Sequence, residues 1–165
     1  MSHATIGDVL SSLRVTCVEM LAARGFDAHE HDGCILRGER DGAKISVHFY
    51  TDEAKVGVKF VRQLFDVEKG GELIIISREG PTSCTRKTFE NVVEFFMVKE
   101  LLYNVTKHAL VPKHEAVDEP PKGITRDQLP KILRTDPIVR FHAWQIGTVV
   151  RISRVFGGQS IEYNY

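Results

Sequence analysis

Two clusters of side chains in this sequence have residue types and spacings that chemistry could use. The first is His29-Glu30-His31-Asp32-Gly33-Cys34, three kinds of metal ligand in one short run. A zinc site needs convergent ligands, usually one close pair joined by a distant second pair. On an extended segment His29 and His31 would share a side, but no second pair stands out. A solvated loop is the simpler reading, and no metal is expected. The second cluster is Asp52-Glu53-Ala54-Lys55, placed just after a strand pattern. Metal-dependent nucleases carry an acid and then an acid-x-Lys triplet at a strand end. The acids hold magnesium, which generates and orients the hydroxide, while the lysine stabilises developing charge. Glu53 and Lys55 would be the triplet, and Asp41 or Asp32 the earlier acid. Acids also favour the first turn of a helix, which explains Asp52 and Glu53 equally well.

Other chemistries find less. Neither a Gly-x-x-x-x-Gly-Lys-Ser/Thr phosphate loop nor a Gly-x-Ser-x-Gly elbow occurs. Cys17 falls on a helix face and Cys84 at a helix start, with no histidine placed beside either, so a Cys/His nucleophile is not indicated. The three cysteines, Cys17, Cys34 and Cys84, cannot all pair within one chain, and none sits in a Cys-x-x-Cys unit. Reduced structural thiols in a reducing compartment are expected. Asn104-Val105-Thr106 matches a glycosylation triplet, but reads more simply as strand. Lys and Arg total 22, as do Asp and Glu, so the chain is neither a polybasic nucleic-acid coat nor an acidic tail. The aromatic residues do not interleave with a basic run, so no single-strand stacking platform is signalled. Apolar runs such as Leu73-Ile74-Ile75-Ile76 are far short of a membrane span. The segment Met1 to Thr5 shows no charged lead into an apolar stretch, so no secretion signal is expected.

The elements that must position these residues follow from periodicity. Ile6, Val9, Leu10, Leu13, Cys17, Met20 and Leu21 recur at spacings of three and four, predicting a helix capped by Thr5 and stopped by Gly25. Cys34 to Leu36 and Ile45 to Phe49 read as strands joined across Gly38 to Gly42, with Ile45, Val47 and Phe49 facing inward. Lys55 to Glu68 reads as helix, Glu72 to Ser77 as a strand buried on both faces, Thr82 to Val93 as helix and Leu101 to Val105 as strand. This order implies a sheet flanked by helices. Val117-Asp118-Glu119-Pro120-Pro121-Lys122-Gly123 is a loop. Beyond it, Leu129 to Ile132 reads as extended. A helix opens at Asp136-Pro137 and is ended by Gly147. Thr148 to Ile152 and Ser160 to Tyr163 form a hairpin around Gly157-Gly158. The expected fold class is α/β, more fully α+β, in two domains, 1–107 and 108–165. The second is too small to bury much alone.

One stretch resembles a known family. Asn104-Val105-Thr106-Lys107-His108-Ala109-Leu110-Val111-Pro112-Lys113-His114 is similar to the signature of the fifth subunit of eukaryotic RNA polymerases I, II and III. The C-terminal domain of that subunit is itself similar to a small subunit of archaeal RNA polymerase. Gln128-Leu129-Pro130-x-Ile132, Asp136-Pro137, Gly147-x-Val149-Val150-x-Ile152 and Tyr163 resemble its later motifs. Thr16 to Leu21 with Arg24-Gly25, and Val56-Gly57-Val58-Lys59, resemble its N-terminal part more loosely. Three departures stand out. The loop at 118–123 replaces a charged helix, Ile146 replaces the usual basic residue before Gly147, and Tyr163-Asn164-Tyr165 stands where the family often has Tyr-Arg and an aliphatic residue.

The resemblance implies a non-catalytic common subunit of DNA-directed RNA polymerase, with no cofactor or metal of its own. It implies an N-terminal jaw domain of nuclease-like fold near downstream DNA, and a small C-terminal α/β assembly domain on the largest subunit. The residues it points to at the subunit interface are Leu110, Val111, Pro112, Lys113, His114, Gln128, Leu129, Pro130, Asp136 and Pro137. Neighbouring small subunits and downstream duplex DNA would be further partners, the DNA contact weak, within a hetero-oligomer that touches no membrane. The location implied is the nucleus, or a viral transcription site if the source is a large DNA virus. For DNA proximity the connection from Ser77 to Phe89 offers Arg78, Arg86 and Lys87. The alternative is a small nuclease using Asp41, Glu53 and Lys55.

Overall fold

The computed structural model describes residues 6–68, 70–156 and 159–164, and its chain divides between Tyr103 and Asn104 into two compact units. The first unit opens on α1, Ile6–Ala23. Leu13, Cys17, Met20 and Leu21 are fully buried along the apolar stripe. Gly25 closes the helix at φ +82°. Its N–H donates to the Ala22 carbonyl and the Phe26 N–H to that of Leu21, satisfying acceptors the helix leaves open. The expected cap, Thr5, lies outside the described residues.

Five strands follow: β1 (Asp27–Asp32), β2 (Ile35–Arg40), β3 (Ala43–Tyr50), β4 (Glu72–Ser77) and β5 (Val93–Met97). They lie side by side in chain order. β1, β2 and β3 are antiparallel, while β3, β4 and β5 are parallel. Asp41 and Gly42, at φ 50° and 82°, make the two-residue turn whose twist suits an antiparallel hairpin. The parallel pairs need crossovers, supplied by α2 (Val58–Val67) and α3 (Ser83–Phe89). Val61 of α2 joins Val56, Leu73, Ile75 and Val93 in one buried cluster, with Phe65 and Phe89 packed against it. Ile74 and Ile76 alternate with these and point to the other face. There the Arg24 guanidinium, just beyond α1, donates two 2.9 Å hydrogen bonds to Glu94 of β5. The sheet is therefore covered by α2 and α3 on one side and α1 on the other, as expected of a sheet flanked by helices.

Several elements differ from the sequence reading. Asp27 to Asp32, expected as loop, is an edge strand whose backbone pairs with β2. β2 continues through Gly38 to Arg40, so the connection to β3 is only the tight turn. Ile45, Val47 and Phe49 are buried, but so are Ser46 and His48, because both faces of β3 are covered. The helix expected over 82–93 stops at Phe89, and Val93 instead opens β5. The strand expected at Leu101 to Val105 is irregular, bounded by 3-10 turns at Val98–Glu100 and Val105–Lys107.

The second unit holds a three-stranded antiparallel sheet: β6 (Lys113–Val117), β7 (Val149–Phe156) and β8 (Gln159–Asn164) in that order. The expected hairpin is β7 and β8, and its Gly157-Gly158 turn lies outside the described residues. α4, Pro137–His142, opens where expected, with the Asp136 carboxylate accepting from the Ile138 N–H at 2.8 Å. Its end differs. Ala143, not Gly147, stops it by adopting φ 54°, and Gly147 turns the chain into β7 instead. Ile138, Val139, Phe141, Val149 and Val150 form the buried side. The loop at 118–123 contains no helix.

Candidate functional site

The nuclease constellation does not assemble around Asp41. Asp41 sits in the turn before β3, and Glu53 and Lys55 in the loop after it. The eight residues of β3 separate them by about 25 Å, at about 3.3 Å per residue. Glu53 is almost fully exposed and lies 3.6 Å from Arg78. Nor does a metal centre form: among the described residues no three His, Cys, Asp or Glu side chains are placed to share an ion. The β1–β2 register slips between Glu30 and Asp32. A cleft of about 380 Å³ beside His29 is lined by Arg37, Glu39, Lys44 and Glu68, and its charges begin to pair internally: Arg37 donates to Glu68 at 2.7 Å. Cys17 is buried, and burial pushes its thiol up to about 12, so it is no nucleophile.

The DNA-proximal candidates are all exposed. Arg86 and Lys87 lie in the last turn of α3. Arg78 follows β4 and is the one facing Glu53.

The ten interface candidates fall into two kinds. Some build the unit itself. Gln128 Oε1 accepts from the Thr125 N–H at 2.9 Å, holding the 3-10 turn Arg126–Gln128. Leu129 is buried. Asp136 caps α4 and Pro137 is its first residue, where a missing N–H costs nothing. A ring nitrogen of His114 lies 2.7 Å from the Pro112 carbonyl. Asn104, from the same signature, accepts from the Thr106 N–H and hydroxyl at 2.9 and 2.6 Å. Asn104 and Thr106 are therefore a turn cap rather than strand residues. Others face outward: Lys113 and Pro130 are exposed, Val111 and Pro112 half-buried, and Leu110 is 87% exposed. Glu115 of β6 lies between Lys113 (2.5 Å) and Arg151 (2.7 Å), whose hydrogen bonds hold its carboxyl down at about 2.

Residues 103–164 match the family model described as the RNA polymerase Rpb5 C-terminal domain. That span is nearly the whole second unit. Over a longer stretch, DNA-directed RNA polymerase subunit 5-like protein 1 of Arabidopsis thaliana is 30% identical, covering 86% of this chain and 87% of its own length. The chain belongs to the RNA polymerase subunit 5 family. Another subunit 5 relative, subunit 5B of RNA polymerases IV and V of Arabidopsis thaliana, is 29% identical over 85% of this chain and 80% of its own. The RPABC1 subunit of RNA polymerases I, II and III of Caenorhabditis elegans is 28% identical. There the match takes in 64% of this chain but only 57% of the relative's length.

Within this subunit 5 domain the structure also shows a feature the sequence reading missed. An open cleft of about 240 Å³ runs between Ile132, Val139 and Trp144, with Ile146 at its rim. The signal available was Ile146 itself, an aliphatic residue just before Gly147.

Proposed function

We propose that this chain is a non-catalytic subunit of DNA-directed RNA polymerase, held on the largest subunit by its C-terminal unit. The observation that carries the reading is the coincidence of two boundaries. The Rpb5 C-terminal model covers 103–164, and the chain's own second compact unit begins at Asn104. An assembly domain should be a folding unit with outward-facing apolar residues, and Leu110 and Ile146 provide them. In this reading the N-terminal unit is the jaw, on the downstream-DNA side, neighbouring small subunits complete the hetero-oligomer, and the enzyme works in the nucleus. Phosphodiester chemistry belongs to the two largest subunits. Separation of Asp41 from Glu53 and Lys55 supports assigning none of it here.

The test is co-purification. Tagged chain from its native source should bring down the largest polymerase subunits in near-equal amounts. Leu110→Asp with Val111→Asp should abolish this, because charges buried without partners cost several kcal/mol, roughly. Unchanged yield would count against the interface. Isolated chain that cleaves DNA with magnesium, and stops doing so on Glu53→Ala, would overturn the reading itself.

A further inference from the structure

The cleft beside Trp144 is built rather than incidental. Ala143 and Trp144 close α4 with two backbone bonds: Ala143 N–H to the Arg140 carbonyl, and Trp144 N–H to that of Val139. This closure brings the residue after the turn back to the helix's final turn, and Trp144 and Val139 line the cleft together. The Trp144 ring is further fixed by stacking on His142, centroids 4.5 Å apart and planes 8° from parallel. The floor and walls are Ile132, Val139 and Val150, and the rim is Ile146, a large aliphatic residue that is 76% exposed. The charged residues lining the cleft are Lys131 and Arg134, with no carboxylate beside them. Neither cation is paired with a described residue.

These features select an occupant. At 240 Å³ the cleft is below the range of about 300 Å³ and up that cofactor and small-molecule sites usually need. It suits one bulky side chain and its neighbours. Aliphatic walls favour an apolar side chain over a base or sugar, and two cations without counter-charge favour carboxylates at its flanks. We infer that this cleft receives an extended segment of a partner polypeptide in the polymerase, which inserts an aliphatic or aromatic side chain flanked by Asp or Glu. The inference rests on the assembly reading and adds a contact beyond the ten interface candidates.

The experiment uses the full chain assembled into its polymerase, with the photo-crosslinker benzoylphenylalanine replacing exposed Gln145. Irradiation should join it to one segment of a polymerase subunit in which an apolar residue lies beside Asp or Glu. Ile146→Asp should lower that crosslink about tenfold, and so should Lys131→Glu with Arg134→Glu, while Ile146→Leu preserves it. These substitutions leave the buried side of the unit untouched, and unchanged melting of each variant shows that it folds. Crosslinks to nucleic acid or to a second copy of the chain would overturn the inference. So would a polypeptide crosslink indifferent to these variants, or no crosslink from a chain that co-purifies normally. A wild-type chain that never co-purifies with polymerase subunits instead brings down the assembly reading first, and this inference with it.

Discussion

His48 lies on the face of β3 that α2 covers, only 6% exposed, with Nε2 3.4 Å from Glu68 Oε1. Arg37 donates to the same oxygen at 2.7 Å. Burial is the largest influence on the imidazole and pushes its pKa below the ordinary 6.5. Glu68 pulls it back up and Arg37 pushes it down again. The unfolded chain therefore binds a proton in a window below pH 6.5 where the folded chain does not. The stabilising contribution is complete above about pH 6.5 and is lost as pH falls from there toward the depressed folded value. Thermal melting should drop as pH falls below about 6.5, and His48→Gln should flatten that part of the profile. An equally steep profile in the variant would show that other groups carry it. This trio was invisible in the sequence, since Arg37, His48 and Glu68 come together only when β2, β3 and the end of α2 meet.

At the scale of elements, α4 is held at both ends by side-chain and backbone choices with calculable cost. Asp136→Ala removes the carboxylate that accepts from Ile138 and should cost about 1 kcal/mol of stability in the second unit. Ala143 holds a left-handed φ of 54°, which costs an L-residue about 1–2 kcal/mol. Ala143→Gly should recover part of that, and denaturant melts of both variants check the opposite signs. The start of α4 was legible because Asp-Pro is a local signal. Its end was not, because the residue expected in a left-handed turn is glycine and the chain uses alanine. The same contrast runs through the first unit. β4 was legible because Leu73 to Ile76 is continuously apolar and β4 is buried on both faces. β1, Asp-Ala-His-Glu-His-Asp, has almost no apolar content. It is a strand only because β2 offers its edge, a tertiary pairing that overrides propensity. β5 was displaced in the reading because the expected helix runs through Val93, the first residue of β5, whereas α3 stops at Phe89. The family signature around Asn104 to His114 was legible by resemblance. The cleft at Trp144 was not, because its walls come from 131–150 and converge only through the turn at Ala143.

At the scale of the molecule, a neutral chain can approach DNA only through a few local cations. Arg86 and Lys87 are exposed on α3, while Arg78 already faces Glu53. In the assembled polymerase, Arg86→Glu with Lys87→Glu should weaken retention of downstream DNA without changing subunit composition. Two phosphate contacts predict a shallow salt slope, about −2 in log affinity against log salt. Retention unaffected by the double variant would remove this surface from the DNA path while leaving the subunit assignment standing.

The central claim is that this chain is a polymerase subunit attached through residues 104–165. The most direct measurement is lysine crosslinking with mass spectrometry on polymerase purified through the tagged chain. Lys113, Lys122 and Lys131 are exposed on that unit. The account predicts crosslinks from these lysines to the largest polymerase subunit. A chain that purifies alone, or a polymerase whose crosslinks bypass all three lysines, would contradict it.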